Sequence, residues 1–167
     1  RTASESAAET LTKRLMAAGH HMGIALQYTN IARDLTLDAT ESKRCYVPPS
    51  WLKKEKLTPE AFLANVVAST SSHAEDAGFF QKKLGTLRGK LLERGFEFYA
   101  KSRGAIEELP SEARAPMRVA VESYMQIARE LSREGFKVKE GRATVPVWRR
   151  VWVAWWALVG PGSRGRG

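Results

Sequence analysis

Apolar residues recur at helical spacing along most of the chain, and the alternating Val, Ile, Thr and aromatic runs that mark strands are absent. The pattern predicts an all-α fold, a helical bundle. A first helix is expected to begin near Ser6, where Ser6 and Glu9 have capping-box spacing, and to pass Gly19 and Gly23 as far as Leu37. A loop with Pro48 and Pro49 follows. Ser50 is expected to cap a short turn over "WLKKE", and Thr58, Pro59 and Glu60 make a good helix start. The stretch "SSHAEDAGFFQKKLGTLRGKLLERGFEFYAKSRGAIEEL" predicts a long, basic, glycine-interrupted helix that stops at Pro110. Ser111 opens the next, which runs to Gly135. After the loop "FKVKEGRATVP" a final helix carries the tryptophans. No internal repeat is visible.

Within the first helix the polar residues are ordered. At about 100° per residue, with Gln27 at zero, Asn30 falls at about −60°, Asp34 at about −20° and Asp38 at about +20°. Ile24, Ile31 and Leu35 lie at about +40° to +80° and Leu26 and Leu37 at about −80° to −100°, so the polar stripe is expected to bisect the apolar face. The back of the helix carries Ala25, Thr29, Ala32 and Thr36, small residues suited to close contact or to solvent. Carboxylates at i and i+4 repel, and turned towards an interior each costs several kcal/mol of desolvation unless protonation or a cation compensates. Asp34, Asp38 and the amide oxygen of Asn30 are hard oxygen donors one turn apart, which suits Mg2+, an ion usually bound jointly with substrate phosphates. Arg33 beside the stripe and Arg44 after it extend the pattern to a Mg2+-diphosphate site. The plain alternative for such a pair is a solvated helix face.

Length and charge narrow the possibilities. The 167 residues, 43% of them hydrophobic, suffice for one domain with a real core. Arg1 stands where an initiator Met is expected and no signal-peptide pattern follows, which reads as a fragment. The lone Cys45 has no disulfide partner and no ligand spacing, which points to a reducing, intracellular setting. A net charge of +9 calls for anionic partners: nucleic acid, an anionic membrane surface or phosphorylated small molecules. No run approaches the roughly 18 apolar residues of a spanning helix.

The residues "GIALQYTNIARDLTLDATESKRCYVPPSWL" closely resemble the second aspartate-rich region of the squalene and phytoene synthases, where A-L-Q-x-T-N-I-x-R-D-x-x-x-D leads into R-x-Y-x-P and W-L. The tyrosine-proline ending looks more like a phytoene than a squalene synthase. "LPSEARAPMRVAVESYMQIARELSREG" and "GRATVPVWRR" look like the fungal phytoene synthase domain, often fused to a membrane-embedded lycopene cyclase. The likeness covers residues 18 to 150. It implies an isoprenoid-synthase fold in which two facing aspartate-rich helices hold Mg2+ (or Mn2+), and two geranylgeranyl diphosphates join head to head through prephytoene diphosphate to give phytoene. It implies metal ligation or its close support by Asn30, Asp34 and Asp38, a cavity lining by Gln27, and diphosphate contacts from Arg33, Arg44 and Arg142. Asp34, Asp38, Arg33 and Tyr124 then carry the catalytic roles. Residues 1–159 read as the C-terminal half of a phytoene synthase domain and 160–167 as a flexible Gly/Arg tail.

The departures have consequences. No second D-x-x-x-D helix occurs, so half the metal site is missing and the chain alone is expected to be inactive. Leu37 stands where an acidic residue often precedes the second Asp, and Lys43 where Gly commonly precedes Arg44; both bear on metal affinity. The tail "VWVAWWALVGPGSRGRG" does not resemble the family.

Other readings remain. One is a squalene-synthase-like prenyltransferase; another is a basic module binding membrane or nucleic acid. Trp148, Trp152, Trp155 and Trp156 form one aromatic helix face that suits a membrane interface, although packing into the bundle core is the expected outcome. "SRGRG" is too short to bind RNA, so no specific nucleic-acid partner is expected. A di-iron bundle would need Glu-x-x-His pairs that are absent. His20, His21 and His73 read as surface or core-edge residues, with His20 close enough to the stripe to border a cavity. A membrane-associated enzyme is expected, an integral membrane one if fused to the cyclase.

Overall fold

A computed structural model describes residues 3–70, 77–133 and 145–159. Every regular element among them is helical: α1 (Ala3–Thr40), α2 (Pro49–Lys54), α3 (Pro59–Thr70), α4 (Ala77–Ser102), a 3-10 segment (Arg103–Glu108), α5 (Ser111–Leu131) and α6 (Val147–Val159). The expected order of elements holds, with shifted ends. Ser6 lies inside α1, where its carbonyl accepts from the Thr10 hydroxyl at 2.9 Å. Thr58 caps α3 as its sequence predicts, its Oγ1 accepting from the Ala61 N–H at 3.1 Å. Ser50 does not cap α2; Pro49, whose missing N–H costs nothing in a first turn, starts that helix. Residues 134–144 and 160–167, including the end expected for α5 and the Gly/Arg tail, lie outside the described residues.

The two long helices α1 and α4 pack on each other, with α3 and α5 beside them and α6 resting on α5. Their contact seam is made of small residues. Ala25, Thr29, Ala32 and Ala39 of α1 are buried, facing Leu84, Leu87 and Leu91 of α4. At Gly95 of α4 an added Cβ would stand 3.4 Å from the Ala25 carbonyl oxygen and 3.4 Å from the Tyr28 Cβ. So the back of α1, whose small residues suited either solvent or contact, is the face that enters the core. The polar stripe does not bisect the buried face. It lies on a half-buried flank between Ile31 and Leu26, because only the Ala/Thr side allows α4 so close.

The tryptophans are the second correction. Expected in the core, Trp148, Trp152, Trp155 and Trp156 are instead between 47% and 66% exposed, while the small Ala157 is buried. Nothing described packs over the α6 face that carries them. No helix among the described residues is long and apolar enough to cross a membrane.

The seam makes a stability prediction. Gly95→Ala should hold or raise stability by up to about 1 kcal/mol, since the methyl fits at van der Waals distance and Gly is a poor helix former. Gly95→Leu should cost about 1–3 kcal/mol by forcing α1 away. Urea unfolding of the two variants checks this; a harmless Leu would mean that the helices do not cross so closely.

Candidate functional site

Asn30, Arg33, Asp34 and Asp38 occupy the middle and end of α1, where helical spacing lines them up and α5 closes over one side. The Tyr124 hydroxyl of α5 donates to Asn30 Oδ1, joining two residues far apart in sequence. Arg33 forms a fork with its neighbour, Nε to Asp34 Oδ1 at 2.9 Å and Nη2 to Oδ2 at 2.6 Å. Their side chains are only 16% and 15% exposed, so the pair is poorly screened. The Asp34 hydrogen bond, with smaller contributions from its charge and from Tyr124, outweighs burial and raises the Arg33 pKa.

Asp38 is in a different position. Partial burial first, and the Asp34 charge second, push its carboxyl above the ordinary carboxylate range, against the opposing pull of Arg44 and Arg33. Arg44 reaches Asp38 through the chain reversal that ends α1. Lys43 takes a left-handed φ of 54°, and the Arg44 N–H folds back onto the Asp38 carbonyl at 3.0 Å. Gly suits a left-handed position best, and Lys43 bears the strain of its Cβ there. The Arg44 Nη1 then donates to the Tyr46 hydroxyl at 3.3 Å.

One turn towards the N-terminus the character changes. An apolar cavity of about 340 Å3 lies between α1, the 3-10 segment and α5, lined by Leu15, Met22, Leu26, Ile106, Met117 and Val121. Gly19 and Gly23 also border it, and a Cβ on either would meet nothing within 4 Å. These glycines therefore leave space; they do not serve contact. Val121 is one turn from Tyr124 and Leu26 one turn from Asn30, so the cavity and the polar cluster succeed each other along the same two helices.

Sequence reasoning missed what holds α5 in this orientation. The Tyr99 hydroxyl of α4 donates to Glu122, and the Arg129 Nη2 donates to the other Glu122 oxygen at 2.7 Å. Glu122 and Arg129 lie two turns apart on one face of α5, which leaves Tyr124 on the other flank towards α1. Their seven-residue spacing was visible; their partner on α4 was not.

Not every expected residue joins the cluster. Gln27 is on the stripe but exposed, and makes no hydrogen bond among the described residues. His20 is exposed and is not among the residues lining the apolar cavity, and His21 lies half-buried against Phe98, ring centroids 5.6 Å apart. Arg142 and His73 lie outside the described residues. No group of three or more His, Cys, Asp or Glu suited to a metal occurs among the described residues. Two carboxylates and an amide oxygen are a partial donor set, compatible with a hard cation that completes its coordination from substrate phosphate and from a facing element. The raised Asp38 pKa fits this too, since a cation would relieve the repulsion from Asp34.

A profile of the squalene/phytoene synthase family matches residues 3–149, and the chain belongs to that family. It is 48% identical over 154 residues, 92% of its length, to the bifunctional lycopene cyclase/phytoene synthase of Gibberella fujikuroi. It is 46% identical over 145 residues to the enzyme of the same name from Leptosphaeria maculans, and 44% over 142 residues to that of Podospora anserina. The matches cover 87% and 83% of the chain respectively. The chain spans about a quarter of the length of these relatives, 24% of the first. No solved structure matches it.

The Asp38 environment predicts a pH effect. Its folded-state pKa is raised, so the folded chain holds this proton to higher pH than the unfolded chain, and stability is lost as pH rises through that window. Asp38→Asn removes the loss. In thermal melts without divalent cations, the variant should exceed the wild type at neutral pH, with the advantage vanishing in acid. A variant less stable at neutral pH would show that Arg33 and Arg44 dominate over burial and Asp34.

Proposed function

We propose that this chain forms the second diphosphate-binding wall of a phytoene synthase, which condenses two geranylgeranyl diphosphates head to head to phytoene, through prephytoene diphosphate and with release of diphosphate. One observation carries the reading: along α1 and α5 a cluster of Asn30, Arg33, Asp34, Asp38 and Tyr124 is followed directly by an apolar cavity. That succession matches an amphiphile with a charged head and a hydrocarbon tail. Relatives named bifunctional lycopene cyclase/phytoene synthase support it, and suggest that this chain too adjoins a cyclase domain and works at a membrane.

In this reading Asp34, Asp38 and Asn30 would hold Mg2+, with Mn2+ as a substitute. The bound ion supplies positive charge that stabilises the departing diphosphate. Arg33 and Arg44 add cationic donors for the same oxygens, and Arg33 is held in place by its fork onto Asp34. Tyr124 orients Asn30 and brings a hydroxyl to the head-group end. The lining from Leu15 to Val121 keeps water from the allylic cation, which hydrolysis would otherwise capture. One aspartate-bearing helix supplies only part of the coordination, so the isolated chain should turn over little or no substrate.

The test uses the complete enzyme, with the region that precedes this chain in its relatives, labelled geranylgeranyl diphosphate and Mg2+, and chromatography of the product. Asp34→Asn should lower kcat/KM by about a hundredfold or more, as loss of a charge that acts on the leaving group does. Tyr124→Phe should lower it less. An Asp34→Asn enzyme at the wild-type rate, or squalene formed from farnesyl diphosphate in preference to phytoene, would reject the assignment. Gly23→Leu, which puts a side chain into the cavity, should favour shorter prenyl diphosphates in competition assays. Unchanged chain-length preference would separate the cavity from the substrate tail.

A further inference from the structure

Helix α6 is built inside out for a packed helix. With Trp148 at zero and about 100° per residue, Val151, Trp152, Trp155, Trp156 and Leu158 all fall within about 80° of it, while Ala157 lies at about 180°. These large apolar residues are exposed and the alanine is buried. Core packing would reverse that arrangement, since bulk gains most from burial. The orientation is also held at both ends of the helix. Arg149 pairs with Glu130 of α5 near the start, and Arg118 of α5 donates Nε to the Ala157 carbonyl at 3.1 Å near the end. Arg149 also lies over the Trp148 ring, 5.1 Å from its centroid, at the border of the face.

We infer that the aromatic face of α6 is the surface by which this protein docks on an anionic lipid membrane, with the indole rings at the head-group level. Tryptophan prefers that depth because its ring is apolar and its N–H is polar. Charge selects the membrane over a second copy of the chain. The sequence from Val147 to Val159 holds two arginines and no acid; Arg149 is paired with Glu130, but the whole chain carries +9, so two copies repel each other whereas anionic lipid attracts. Four tryptophans on one face of a short helix fit a helix lying in the interface plane, not one crossing it. The inference stands apart from the catalytic reading: a chain without synthase activity would still bind.

The test is vesicle binding by the purified chain. Co-sedimentation with phosphatidylcholine vesicles containing phosphatidylglycerol should exceed that with phosphatidylcholine alone, and should weaken as salt rises. Lipids brominated near the head of the acyl chain should quench tryptophan emission, with Trp51, half-buried in the bundle, as the residual signal. Trp152→Ser with Trp155→Ser, both exposed and so harmless to the fold, should lower partitioning by about tenfold or more. Wild-type emission untouched by brominated lipid would overturn the inference without any variant. So would unchanged binding by the double variant, a dimer in light scattering that covers the tryptophans, or a supplied upstream region that buries them and abolishes vesicle binding.

Discussion

The closeness of α1 to α4 is the constraint on which the rest depends. Gly95 allows it from one side, and Ala25, Thr29 and Ala32 from the other. A helix that buries its small-residue face leaves Ile24, Leu26, Ile31 and Leu37 on the flanks, half covered, while Leu35 at the edge of that face is buried. The polar stripe of α1 is therefore rotated away from the seam, to the side where α5 lies. Had the apolar flanks been the buried face, Asn30, Asp34 and Asp38 would have pointed into α4, where Leu84, Leu87 and Leu91 offer the carboxylates no partner.

From that rotation the site acquires its electrostatics. Arg33 and Asp34 lie at the edge of the bundle, shielded enough for their fork to be strong and open enough for a ligand to reach it. Asp38, a turn further, is left with the cost of burial and of its neighbour's charge, which Arg44 and Arg33 only partly offset. The two carboxylates are thus unequal: Asp34 is held in a fork by Arg33, whereas burial and the Asp34 charge favour the protonated form of Asp38. The Tyr99–Glu122–Arg129 network contributes at a distance, by fixing which side of α5 faces α1 and hence where the Tyr124 hydroxyl arrives.

At the far end of the molecule, α6 shows the same principle with the opposite outcome. Small residues again make the contact, Ala157 against α5, and bulky ones are displaced outward. On α1 the displaced residues are half covered by α5 and the 3-10 segment and line a cavity. On α6 nothing described covers them, and a broad aromatic surface results.

Helix content, the order of the elements, the alignment of Asn30, Asp34 and Asp38 and the clustering of the tryptophans were all present in the sequence, because helical periodicity fixes the angle of every side chain about its own axis. Thr58 as a cap was equally legible, being a local hydrogen bond. Periodicity does not say which angle faces inward when one side of a helix is bulky and the other small. Bulk predicts burial through area, whereas Ala, Thr and Gly permit burial through approach, and the second wins only if a partner helix offers a matching gap. Gly95 is that gap for α1, and it lies some seventy residues beyond Ala25, out of reach of any local pattern. For the same reason the tertiary structure alone decided that Tyr124 meets Asn30, that Gln27 stays in solvent and that α6 turns its tryptophans outward.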